Sequence, residues 1–161
     1  MNILTIGAII KKEREACGLT QRALAAVAHI SRVTIVNLEN GHLGDIGAVK
    51  LAAIAENLGT ALFATEKPMD AISMTLGNIN TSYKNTLSAA DLEKFMLTGN
   101  IQPGWEGQIL HLLDETPTAL LVSTVKHIAA TKNIKAKLLW KTLAKVAADI
   151  KSPNPFWSYL A

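Results

Sequence analysis

Arg32, Val33, Val36 and Asn37 recur at spacings that an α-helix gathers onto one face. Their chemistry suits the edges of base pairs. A guanidinium presents two parallel donors to guanine, a carboxamide pairs with adenine, and a valine methyl can touch the thymine methyl. Gln21, Ser31 and Thr34, with Asn40 and the amides beside it, are donors of the kind that grip phosphate oxygens and set register. The alternative is a helical hairpin buried in a core, which apolar spacing alone would also give. Nothing comparable points to catalysis. His29, His42, His111 and His127 are scattered, and no Cys or His pair has metal-ligand spacing. No glycine-rich phosphate loop or nucleophile motif occurs. The adjacent Asp114 and Glu115 would point in different directions on a helix. The expectation is a protein that is not an enzyme and uses no cofactor or metal.

The elements that must hold those side chains lie in the run LTQRALAAVAHISRVTIVNLENG, residues 19–41. Thr20 can cap a helix over 21–28, since its hydroxyl can accept from an amide two or three residues on. Ser31 can cap a second helix after a break at His29 and Ile30, and Asn40 with Gly41 ends it. Leu24, Ala25, Ala28, Ile30, Ile35 and Leu38 then form a shared apolar side. Ala25 is small where the two helices must approach.

At these residues the chain resembles the helix-turn-helix family of phage repressors and Cro, the XRE family, over roughly 6–58. The resemblance implies that Gln21 opens the first helix and grips phosphate, and that Arg32, Val33 and Asn37 read bases. It also implies an ion pair between Arg14 and Glu39 that braces the outer helix against the reading helix. His29 departs from the pattern, standing where the family has glycine in the turn. Histidine visits positive φ less freely than glycine does.

With 161 residues, 49% apolar and 18% charged, the chain has the composition of a soluble globular protein of one domain or two small ones. The single cysteine, Cys17, excludes an internal disulfide and fits a cytoplasmic setting. No apolar run approaches the ~20 residues that span a bilayer, and the amphipathic start MNILTIGAIIKKER lacks a signal-peptide cleavage site. Charge is uneven along the chain. Residues 1–67 carry seven basic against six acidic side chains, 68–115 two against six, and 116–161 seven against one.

Outside the central pair of helices, the pattern predicts helices over 3–17, with Ile6, Ile9, Ile10 and Cys17 inward, and over 46–57, capped by Asp45. ALFAT at 61–65 could be a short strand. A boundary near 66–68 divides a DNA-binding domain, 1–67, from a helical domain, 68–161, for dimerisation or partner binding. Within the latter, 69–76 could form a turn or two of helix before a polar loop. Ser88 and Asp91 make a capping box for a helix over 89–98, with Leu92, Phe95, Met96 and Leu97 apolar. Further helices are expected within 103–115, from Thr116-Pro117 to 131, and over 133–150. Met69, Met74 and Met96 read as core filler. Lys137, Lys141 and Lys145 form a stripe at four-residue intervals, read first as a solvated face and second as a surface for an acidic partner or DNA backbone. Phe156, Trp157 and Tyr159 in the proline-broken tail call for a surface to lie on.

The run LSAADLEKFMLTGNIQPGWEGQILHLLDETPTALL resembles the carboxy-terminal half of regulators found beside nucleotidyltransferase toxins of the abortive-infection type. That resemblance implies an antitoxin that represses its own operon and restrains the toxin. The expectation is thus an all-α protein, a λ-repressor-like helix-turn-helix bundle followed by a helical domain. It would act as a homodimeric repressor on a palindromic double-stranded operator, with no membrane partner. A protein-interaction or ligand-sensing regulator is the alternative.

Overall fold

The computed structural model describes residues 3–60 and 70–160. Among them every regular element is helical: α1 (Ile3–Ala16), α2 (Gln21–Val27), α3 (Arg32–Glu39), α4 (Ala48–Asn57), α5 (Ala71–Asn80), α6 (Ala89–Thr98), α7 (Glu106–Asp114), α8 (Thr118–Lys132) and α9 (Ala136–Asp149). A 3-10 helix, η1 (Pro155–Tyr159), closes the chain. The all-α expectation holds. The proposed strand at 61–65, the boundary at 66–68 and Met69 lie outside the described residues.

Local chemistry starts several of these helices. Thr20 accepts from the Ala23 amide, Ser31 from Thr34 and Asp70 from Ile72. At α6 the capping box is complete, because Ser88 accepts from the Asp91 amide while the Asp91 carboxylate accepts from the Ser88 amide. Each such cap satisfies donors that a helix start leaves orphaned.

Elsewhere packing overrules the local pattern. Asp45 does not cap α4: its Oδ1 accepts from the Gly47 amide at 3.0 Å, and Gly47, at φ +75°, leads into the helix two residues later than expected. The segment 77–80, expected as loop, continues α5, because Ala71, Ile72, Thr75 and Ile79 are buried along one side. Burial there outweighs the weak helix propensity of Gly77 and Asn78. Pro117 sits one place before α8 rather than at its first turn, and α9 starts at Ala136, after Asn133 has ended α8 in the left-handed region. Two side chains expected inside are outside, Ile9 on α1 and Met74 on α5, and Leu97 on α6 is exposed as well. On α1 the inner face is taken instead by Gly7, Ile10 and Arg14.

One apolar cluster runs through the described residues, from Ile10, Leu24 and Ile35 near the start to Phe95, Val125, Leu143 and Trp157. The two halves of the chain therefore share their interior. Trp140 of α9 is buried at the seam, and its indole Nε1 donates to the Cys17 carbonyl at 2.7 Å. Gly18 is required there: it adopts φ +68°, and a Cβ would stand 2.7 Å from the Lys137 amide. Lys126 of α8 closes the same seam on Glu13 of α1 at 2.7 Å. The tail lies on the molecule itself, with Phe156 and Trp157 buried against Trp140 at ring separations of 5.6 and 6.5 Å.

Candidate nucleic-acid interface

The corner between α2 and α3 is closed by backbone bonds, the Ile30 amide donating to Ala25 at 2.9 Å and His29 to Ala26 at 3.2 Å. This wrap forces His29 to φ +54°, with its imidazole exposed. The corner fixes the angle at which α3 leaves. Ile35 and Leu38 are fully buried, so the opposite side of α3 must face outward.

On that side Arg32 is exposed and Val33 is 67% exposed, while Val36 and Asn37 are half-buried next to them. The donors expected to meet phosphate are arranged differently from one another. The hydroxyls of Ser31 and Thr34 bond to each other at 2.8 Å, and Ser31 also caps α3. Asn40 is exposed at the end of α3. Gln21 gives one amide hydrogen to Glu39 Oε2 at 2.9 Å, which leaves its second hydrogen and its carbonyl oxygen for another partner.

Beneath this surface lies a buried ionic brace. Arg14 Nε donates to Glu39 Oε1 at 2.6 Å and Nη2 to Oε2 at 3.0 Å, a two-pronged pair. Arg14 Nη1 also donates to the Leu19 carbonyl at 2.8 Å, tying in the chain that leads to α2. The hydrogen bond to Glu39 holds the guanidinium proton more tightly than usual, against the opposing effect of burial. Removing either partner leaves an uncompensated buried charge, which typically costs about 3–5 kcal/mol. The last turn of α3 is thus held to α1 and to the start of α2 at once.

Two features of the site escape a reading of side-chain types. Gly7 of α1 lies under α3 so closely that a Cβ would come within 2.0 Å of the Leu38 carbonyl oxygen. A glycine inside an otherwise apolar helical run was the available signal. The tail also reaches α2: Thr20 Oγ1 donates to the Tyr159 carbonyl at 3.1 Å, and the Arg22 guanidinium lies 5.3 Å from the centre of the Tyr159 ring. Only the aromatic content of the tail hinted at that contact.

Residues 10–63 match the family model described as Helix-turn-helix. This stretch is a helix-turn-helix domain. The match spans about a third of the chain and supports a DNA-binding transcriptional regulator of the XRE type. No curated protein and no solved structure matches the chain. Among the described residues no cluster of three His, Cys, Asp or Glu side chains could hold a metal, and no helix is long and apolar enough to cross a membrane.

Proposed function

We propose that the chain is a homodimeric transcriptional repressor that places α3 in the major groove of a palindromic operator. Arg32, Val33, Val36 and Asn37 read base edges, while Gln21, Ser31, Thr34 and Asn40 hold the backbone. The observation that carries this reading is the sidedness of α3, with Ile35 and Leu38 fully buried and Arg32 and Val33 exposed. Glu39 supports it by clamping the far end of the same helix. One short helix contacts few bases, so a dimer reads two half-sites about 34 Å, or ~10 bp, apart or a multiple of that spacing.

Footprinting of the full chain on DNA flanking its own gene tests the proposal. A protected inverted repeat, bound at roughly 10⁻⁸–10⁻¹¹ M at physiological salt, is expected. Binding no tighter than to random DNA of equal length would reject it.

In the same reading the repressor is the antitoxin of a nucleotidyltransferase toxin and controls its own operon. The resemblance across LSAADLEKFMLTGNIQPGWEGQILHLLDETPTALL supports this role. Coexpression with the products of adjoining genes tests it, with a stable complex and relief of growth arrest as the expected result. The full chain must be used, because cutting it between the halves would strip Trp140 of its Cys17 partner.

A further inference from the structure

A groove of ≈ 760 Å³ opens along α9, between its outer face, the Pro153–Pro155 bend and the residues that lead into α2. Its walls include Trp140, Ala144, Ala147 and Trp157. Both indole N–H groups are already used inside the protein, Trp140 donating to Cys17 and Trp157 to the Leu113 carbonyl at 3.2 Å. Both rings are also buried, at 2% and 8% exposure, so the apolar surface open to the groove comes from Ala144, Ala148, Pro153, Pro155 and Leu160.

The other polar side chains that line it are similarly engaged. Ser152 donates to Asp114, Asn154 to the Leu113 carbonyl, Ser158 to the Pro155 carbonyl and Thr20 to the Tyr159 carbonyl. Lys137, Lys141 and Lys151 are the exceptions. All three are exposed, and among the described residues no carboxylate lies in ion-pair range of them and no Asp or Glu lines the groove. An apolar trough with unpaired ammonium groups and no acid selects a ligand with the opposite arrangement. The volume lies within the ~300–1,000 Å³ usual for small-molecule sites.

We propose that this groove is a binding site for a small amphipathic anion, a carboxylate, sulfonate or phosphate ester with an apolar body. The body lies on Ala144, Ala148, the two prolines and Leu160, above the buried indoles, and the charged end meets the lysines. Occupation also reaches the DNA-facing elements, because Gly18 and Thr20, the cap of α2, line the same groove. That regulatory consequence rests on the DNA-binding reading above; the site itself does not.

The test uses anilinonaphthalene sulfonate, with N-phenylnaphthylamine as the same body without the charge. The full-length protein should bind the sulfonate at one per chain, with energy transfer from tryptophan, and more tightly than the neutral dye. Exchanging Lys137 and Lys141 for Gln should weaken the sulfonate about tenfold, the effect of losing charge-assisted contacts, and leave the neutral dye unchanged. Ala144→Trp should displace both dyes, and unchanged melting temperatures identify both variants as folded. Equal binding of the sulfonate to the lysine variant and the parent would overturn the site. So would a stoichiometry below one that falls as protein concentration rises, which would mark a second copy of the chain as the occupant. With the dye bound, operator affinity should change about fivefold or more; an unaltered affinity overturns the regulatory part. A chain that binds dye but no operator instead rejects the DNA-binding reading and leaves the groove standing.

Discussion

At the scale of single residues, base reading and backbone gripping are separable. Asn37→Ala should cost about 1–3 kcal/mol on the operator and relax preference at one base pair, whereas Gln21→Ala should weaken specific and random DNA alike. Competition binding on operators substituted one position at a time checks this, and equal losses for Asn37→Ala on every sequence would remove its reading role. Cys17 gives a prediction of another kind. Burial pushes its thiol up to about 11 from an ordinary 9.0, with a smaller raising effect of Glu13 opposed by Lys126. Between those values the unfolded chain loses a proton that the folded chain keeps. Stability should therefore fall as pH rises through that window, by about 2–3 kcal/mol, and level off above it. Urea unfolding across the window, compared with Cys17→Ala, isolates the effect from other titrating groups; parallel profiles for the two proteins would sink the assignment.

At the scale of elements, the aim of α3 depends on the corner before it and the helix beneath it. His29 holds φ +54°, a conformation that costs a residue with a Cβ roughly 1–2 kcal/mol and glycine little. His29→Gly should raise stability by up to about 1 kcal/mol after glycine's greater freedom in the unfolded chain is subtracted. A lower melting temperature would show that the imidazole makes a contact worth more than the strain. Gly7→Ala acts in the opposite direction. Its methyl would overlap the Leu38 carbonyl, so α1 and α3 must separate, at a cost of about 1–3 kcal/mol or more. DNA affinity should drop with it, measured at a temperature where the variant remains folded.

At the scale of the whole molecule, the shared interior governs how the protein unfolds. Trp105, Trp140 and Trp157 all lie in the second half, and Cys17 lies in the first. Because Trp140 and Cys17 are joined across the seam, tryptophan fluorescence and Cys17 alkylation should report one coincident transition in denaturant. Two midpoints would mean that the halves melt independently despite their contact. The same continuity places the anion groove beside the entry to α2, since its walls come from both ends of the chain.

What could be read directly from the sequence was what neighbours decide. Thr20, Ser31 and the Ser88 and Asp91 pair act on amides within three residues, and Ile35 and Leu38 share a side through helical spacing alone. The sidedness of α3 and the all-helical class follow from such local rules. Tertiary structure decided whatever depends on distant partners: the full length of α5, the exposure of Ile9, the closeness of Gly7 to α3, and the meeting of Trp140 with a carbonyl 123 residues away. Periodicity specifies which residues lie on a face, but burial depends on what arrives to cover that face. The lysine stripe shows the difference, because its spacing, with Trp140 between two of its members, was evident along the helix while the Pro153–Pro155 bend and Trp157 were brought beside it by the fold.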